Sequence, residues 1–355
     1  MSIIAVVLFS FLSAWAWNEV FLRFARRLGA LNQGIPNQRR WDSRKKPIIG
    51  GIAFFVVALG IGAWKPADLQ LSRALLAGAA IAFLTGLADD AYVSVPYVKL
   101  LGQLSAAGAS IILGGPLLTI SPMPALSVLF TLFWYVAVMN ALNMMDNMDG
   151  IAGSLTLIFL LSSFWLLPQS PHLLLYLGLA GAVGAFLLRN FYPSHLYMGD
   201  NGSQFLGFVL AYWGTELWHA PIAHTADNWV KVLMLVSLYS LLAGDTFWVS
   251  IMRLIVRRNP FSGGTDHLTH RLAQFGLSPR YIVVLLAAVQ GLLVLGTGLL
   301  LRSQPAEWGF VGVIGLVGIA IGAVHLSYLL PIIHRTKSFS PPISFSLRGS
   351  EGERV

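Results

Sequence analysis

The chain has 355 residues, 56% of them hydrophobic and only 11% charged, with a mean hydropathy of +0.71. Soluble domains carry about 25% charged residues, so a water-soluble fold of this length is a poor fit. The 23 Lys and Arg exceed the 15 Asp and Glu, for a formal net charge of +8. They stand in short runs between apolar stretches, which suits anionic headgroups and phosphorylated ligands rather than nucleic acid. Cysteine is absent, which excludes disulfides, thiolate chemistry and Cys-based metal sites.

A membrane-spanning helix needs roughly 20 mostly apolar residues. Eleven segments fit in chain order: Ser2–Leu22, Ile48–Trp64, Leu71–Ala88, Leu100–Leu118, Ala125–Ala141, Ile151–Leu167, Leu173–Leu188, Ser203–Trp218, Val230–Met252, Tyr281–Leu301 and Phe310–Pro331. Ser203–Trp218 is the least apolar of them. The first has no basic lead and no small-residue cleavage site, so it reads as a span and not a removed signal peptide. The predicted fold class is all-α, a polytopic integral membrane helix bundle of about 11 transmembrane helices. One catalytic domain is expected over 1–333, followed by a flexible basic tail over 334–355.

With these spans, nineteen of the 23 Lys and Arg fall on one side, eight of them from Arg23 to Lys46. Only Lys65, Arg73, Lys231 and Arg302 fall on the other. The positive-inside rule places the N-terminus outside and the C-terminus in the cytoplasm. The polar motifs gather on the cytoplasmic side. The outer loops carry Glu216, His219, His224 and Asp227, scattered without a motif and read as solvated loop.

Four blocks carry the chemistry. Asp89-Asp90 ends the third span; adjacent residues on a helix point about 100° apart, and like charges at a membrane boundary call for a compensating cation. These carboxylates could instead cap a helix. Lys99 and Gln103, four apart, share a helix face and offer an ammonium and an amide to phosphate oxygens. Asn140, Asn143, Asp146 and Asp149 recur every third residue, an oxygen-rich set suited to a hard cation and a hydrogen-bonding base. Asp200 sits between Gly199 and Gly202, with Ser203 opening a helix whose backbone N–H groups attract anions. Finally, His267, His270 and Arg271 follow Gly263-Gly264. No Cys or nearby Glu completes a zinc set there, and the residues suit a pyrophosphate better. Asp245, inside the ninth span, is a functional candidate or a partner of Arg253.

Five ordered elements resemble the polyprenyl-phosphate N-acetylhexosamine-1-phosphate transferases, glycosyltransferase family 4. They are Pro36-Asn37 with Lys46-Pro47 and Gly50-Gly51, Asp89-Asp90 with Lys99 and Gln103, the run from Asn140 to Gly150, Met198-Gly199-Asp200 with Gly202-Ser203, and His267 with His270-Arg271. The resemblance covers about Gly29 to Leu272. It implies a multi-pass enzyme of the bacterial inner (plasma) membrane with a cytoplasmic active site, taking a UDP-HexNAc and undecaprenyl phosphate and releasing UMP. It implies Mg²⁺, with Mn²⁺ as a substitute, held by Asp200 and Asn143. Asp89, Asp90 and Asp200 take catalytic roles. Lys46, Lys99, Asn140, Asp146, Asp149, His267, His270 and Arg271 bind substrate, with Asp149 at the uridine. A homodimer is left open.

Departures refine the branch. Asn147 stands where many members have Gly, and Asn32 and Trp41 replace an Asp and a His. The peptidoglycan-precursor branch carries three consecutive His where this chain has His267-Leu268-Thr269-His270-Arg271. The expectation is therefore the UDP-GlcNAc branch, transferring GlcNAc-1-phosphate to prime O-antigen, teichoic acid or exopolysaccharide; phospho-MurNAc-pentapeptide transfer is the runner-up. An ion-coupled transporter would place its acids near the midplane of repeated halves. A membrane prenyltransferase would need two separate Asp-rich repeats and neither of the last two blocks.

Overall fold

The computed structural model describes residues 2–24, 46–64, 69–92, 95–223, 227–257, 264–302 and 306–337. Asn32, Pro36, Asn37, Trp41, Gly263 and the tail beyond Lys337 lie outside them. Among the described residues twelve α-helices follow one another: α1 (Ile3–Phe24), α2 (Gly50–Trp64), α3 (Leu69–Tyr92), α4 (Pro96–Ile112), α5 (Pro124–Met145), α6 (Ile151–Leu166), α7 (Leu173–Asn190), α8 (Gly199–His219), α9 (Asn228–Ile255), α10 (Leu268–Gln274), α11 (Pro279–Leu300) and α12 (Ala306–Lys337). No β-strand beyond an isolated bridge occurs among the described residues. Each of the eleven predicted spans corresponds to one helix, and the short α10 is additional. The tail boundary expected at residue 334 falls inside α12.

Seven helices, α1, α3, α5, α7, α9, α11 and α12, are long and apolar enough to cross a membrane; α2 and α6 are apolar but shorter. The chain is a multi-pass membrane protein. Helix α8, with its lower hydropathy, is the centre of the bundle. Seventeen of its 21 residues are buried, and it packs on α2, α3, α5 and α6. Its polar side chains therefore face other helices and not lipid, and several find partners there. Gln204, for instance, accepts from Gln103 Nε2 at 2.9 Å, and Trp213 Nε1 donates to Ser163 Oγ at 2.8 Å.

Aromatic packing locks the surrounding helices to this axis. Phe55 stacks on Phe83 at 4.4 Å and meets Phe205 edge-on at 6.0 Å, joining α2, α3 and α8. Close backbone approach does the rest at the site end. A Cβ on Gly86 of α3 would lie 2.1 Å from the Asp200 carbonyl oxygen. Only a residue without a side chain lets α3 come this near, and the approach sets Asp89 and Asp90 beside the start of α8. The remainder of the bundle wraps around this core, with α1 on α7, α6 on α7 and α11, and α12 on α9.

One expectation for the far end needs correction. Glu216 belongs to the last turns of α8 and is no scattered loop residue. Its carboxylate accepts from Tyr176 O–H at 2.6 Å and Ser170 O–H at 2.9 Å, and lies 2.7 Å from His172 Nδ1. A carboxylate in an apolar setting needs such partners, and here they fasten the α6–α7 connection to α8.

Candidate active site

Helix ends from across the sequence meet at one end of the bundle. The C-terminal ends of α3 and α5 and the N-terminal ends of α4 and α8 supply the centre. Lys99, in the first turn of α4, donates from its ammonium to Asp200 Oδ2 at 2.6 Å, to Asp89 Oδ2 at 3.0 Å and to Asn143 Oδ1 at 3.0 Å. Asn143 donates in turn to Asp200 Oδ1 at 2.9 Å and Ser203 Oγ at 2.8 Å. Three acceptor oxygens from three helices thus converge on one cation. Two carboxylates, of Asp89 and Asp200, face a single ammonium, which leaves the centre formally negative.

Asp90 acts differently from Asp89. It accepts from the backbone N–H of Asp200 at 2.9 Å and of Asn201 at 2.9 Å, and from the Asn201 amide at 2.6 Å. It therefore caps α8 from another helix, satisfying N–H groups that a helix start leaves without partners. The capping alternative drawn from the sequence describes Asp90, while Asp89 faces Lys99. Gly199, with φ +77°, turns the chain into this cap.

A second layer braces the first. Gln103 and Asn140 exchange amide hydrogen bonds at 3.0 and 3.1 Å, tying α4 to α5 about one helical turn from Lys99 and Asn143. Asp146 ends α5 as its C-cap residue, on the turn that leads to Asp149. Asp149 accepts from the Ser194 backbone N–H at 3.0 Å and lies 3.7 Å from Lys46 Nζ. The Lys46 ammonium also donates to Ser194 Oγ at 2.7 Å and lies 4.8 Å above the Tyr197 ring. Lys46 is 4% exposed and Asp149 8%, so this ion pair is buried and fastens three connections together.

The histidine block stands on α9 and α10. Asp266 grips Arg253 through two bonds of 2.7 and 2.8 Å, and Arg271 Nε donates to the Asp266 carbonyl at 3.2 Å. Burial raises the Asp266 pKa, but the Arg253 guanidinium outweighs it and holds the carboxyl below the usual range. The sequence had offered Asp245 as the partner of Arg253; the arginine's carboxylate clamp is Asp266. His267 Nδ1 lies 2.8 Å from Asp245 Oδ2. Burial first, then the neighbouring His267, pushes the His270 pKa down to about 4, so its imidazole is neutral at pH 7. Thr269 donates to Asn147 Oδ1 at 2.5 Å, which joins this block to the Asp-rich turn. Asn147, noted as a departure from Gly, uses its side chain for that link.

Asn201, Ser194, Asn190 and His325 belong to no sequence motif, yet each takes a place around these clusters. Asn201 adjoins Asp200, but nothing in its spacing announces a cap shared with Asp90. Asn190 donates to the Leu196 carbonyl and accepts from Gly150 N–H, a purely tertiary role. His325 could have been found, because an ionisable residue in an apolar span is a candidate by default.

The residues present suit a divalent cation. The oxygens of Asp200, Asn143 and Asp89 already gather around one positive charge, and hard oxygen donors are what Mg²⁺ takes. Among the described residues no group of three His, Cys, Asp or Glu forms a ready cage for a metal. Mg²⁺ ordinarily takes one or two protein carboxylates, with water and phosphate filling the remaining positions.

Residues 72–217, which contain the whole convergent centre, match glycosyl transferase family 4. The chain is 30% identical over 358 aligned positions to decaprenyl-phosphate N-acetylglucosaminephosphotransferase of Mycobacterium tuberculosis, covering 90% of this chain and 86% of that protein. It is 30% identical to a probable undecaprenyl-phosphate N-acetylglucosaminyl 1-phosphate transferase of Bacillus subtilis, covering 80% and 81%. Likeness to a phospho-N-acetylmuramoyl-pentapeptide-transferase of Lactobacillus delbrueckii is 32% but spans 44% and 43%. With the described parts of those motifs assembled at one end of a membrane bundle, the chain belongs to glycosyl transferase family 4, the polyprenyl-phosphate N-acetylhexosamine-1-phosphate transferases, on the side of its N-acetylglucosamine-phosphate branch.

Proposed function

We propose that this enzyme transfers GlcNAc-1-phosphate from UDP-GlcNAc to undecaprenyl phosphate at the cytoplasmic face of a bacterial inner membrane, releasing UMP. The observation that carries this reading is the convergence of Asp89, Asn143 and Asp200 on Lys99 at one end of the bundle. Reaction between two phosphorylated substrates must overcome anionic repulsion and align the attack, and a polar centre at a membrane boundary serves both needs.

In this reading an oxygen of the lipid phosphate attacks the β-phosphorus of UDP-GlcNAc. The bond from that phosphorus to the bridging oxygen breaks, and UMP leaves with the oxygen. Asp200 and Asn143 would hold Mg²⁺, or Mn²⁺ in its place, which offsets phosphate charge when bound. Lys99 supplies a fixed positive charge beside them, and Asp89 orients that ammonium. Asp90 keeps the start of α8, and so Asp200, in register. Arg271 supplies a permanent positive charge for the pyrophosphate, His267 and neutral His270 supply hydrogen bonds, and Asp149 stands for the uridine.

The orientation, N-terminus outside and C-terminus in the cytoplasm, rests on the one-sided Lys and Arg distribution. The test is purified protein in detergent with Mg²⁺, undecaprenyl phosphate and a panel of UDP-HexNAc donors. UMP should appear with UDP-GlcNAc. Absence of UMP with every donor would overturn the reading, and release only with UDP-MurNAc-pentapeptide would move the chain to the peptidoglycan branch.

A further inference from the structure

Outside the convergent centre, one buried carboxylate of α9 meets both α10 and α12. Asp245, in α9, is 1% exposed. Its Oδ1 accepts from the backbone N–H of Leu268 at 2.6 Å, capping the start of α10. Its Oδ2 lies 2.8 Å from His267 Nδ1. His325, fully buried in α12, places Nε2 3.7 Å from Asp245 Oδ1. The Nδ1 of His325 lies 2.9 Å from the Ile321 carbonyl, which can only accept, so that nitrogen bears the proton.

The two oxygens of Asp245 thus have separate tasks. A carboxylate accepts and does not donate, so the bond at Oδ2 requires a proton on His267 Nδ1. In the neutral ring this leaves Nε2 as the acceptor, and a ring held at one nitrogen is also fixed in orientation. Cap and tautomer are set by one side chain. His325 and the permanent charges of Arg253 and Arg271 surround the same α9–α10 corner, and α12 packs against both helices.

We propose that Asp245 is a positioning residue for the histidine block: it fixes the tautomer and direction of His267. The inference rests on the transferase reading only for its kinetic test. Asp245→Asn is nearly isosteric. With its amide oxygen at the capping position, the amide nitrogen faces His267 Nδ1 and donates where the carboxylate accepted. The cap persists and the imidazole is driven to the Nε2–H tautomer.

Nitrogen-15 spectra of histidine-labelled protein, with His267 assigned from a His267→Asn sample, read the tautomer without turnover. The wild type should carry the proton on Nδ1, and Asp245→Asn should shift it to Nε2. An unprotonated Nδ1 in the wild type would overturn the proposal, whether or not the variant folds. In UMP-release assays, Asp245→Asn should lower kcat/KM for the nucleotide sugar by about tenfold or more, with KM for the polyprenyl phosphate unchanged. On a His267→Ala background the same change should cost no more than about threefold, because the residue it acts through is gone. Full additivity, or a loss below twofold in the wild-type background, would refute the role. Absence of wild-type UMP release would count against the transferase reading alone, leaving the spectra to decide this one.

Discussion

Replacing Asp90 by alanine isolates the contribution of the α8 cap. The substitution removes three hydrogen bonds to a carboxylate, at 2.9, 2.9 and 2.6 Å, and leaves the N–H groups of Asp200 and Asn201 without that acceptor at the start of a buried helix. The Asn201 amide keeps its bond to the Ile48 carbonyl at 3.1 Å, so part of the corner survives. Hydrogen bonds to charged groups contribute about 1.5–3 kcal/mol each, and loss of a helix cap costs about 0.5–2 kcal/mol. The three bonds share one acceptor and are not additive, so a total near 3 kcal/mol is expected. The kinetic effect should be larger than a stability loss alone would suggest. Asp200 takes its position from the capped N–H, and a displacement of about 1 Å at a reacting centre can cost about 10²-fold. The assay is UMP release beside thermal melting in the same detergent. Asp90→Ala should fall about a hundredfold in turnover and melt a few degrees lower, while Asp90→Asn, keeping one oxygen, should be intermediate. Turnover within threefold of wild type with an unchanged melting midpoint would refute the cap argument.

Asp200→Ala should abolish turnover while melting changes little, because its side chain faces Lys99 and Asn143 rather than the apolar core; retained Mg²⁺-dependent activity would move the metal site elsewhere. Lys99→Arg should lose at least about tenfold, since a planar fork cannot reproduce a point charge gripping three oxygens, and equal activity would contradict that geometry. The His270 pKa of about 4 lies below the unfolded value near 6.5. The unfolded state therefore binds the proton first, and stability should fall as pH drops from about 6.5 towards 4. His270→Asn should flatten the melting profile in that window, and an unchanged slope would refute the assignment. Because the chain has no cysteine, single cysteines report sidedness directly. A membrane-impermeant maleimide should reach Trp229→Cys from outside and Phe275→Cys only from the cytoplasm, at two positions that are each 59% exposed.

Hydropathy made the helices legible because lipid-facing surface must be apolar along most of each span. It failed to mark α8 strongly for the same reason: a helix buried among other helices has no lipid to satisfy, and Asn201, Ser203, Gln204 and Thr215 can be polar there. The motifs were legible as sets of residue types, since Lys99, Asn143 and Asp200 suit phosphate and metal wherever they stand. Their division of labour was not. Asp89 and Asp90 are adjacent and chemically equal, yet one faces Lys99 and the other caps a helix more than a hundred residues away. Only the approach of α3 to α8 at Gly86 decides which does which. Likewise the pairing of Arg253 with Asp266, and not Asp245, depends on where α10 starts. Glu216 read as loop because its partners Ser170, His172 and Tyr176 come from another part of the chain.

Transfer of sugar phosphate requires the donor bond to break between its two phosphorus atoms. UDP-GlcNAc carrying phosphorus-32 in the β-phosphate, the one next to the sugar, tests it most directly when incubated with the enzyme, Mg²⁺ and undecaprenyl phosphate. Label should move into the organic-extractable lipid while unlabelled UMP is left in the aqueous phase. Label remaining in water as UDP, with sugar alone on the lipid, would contradict it.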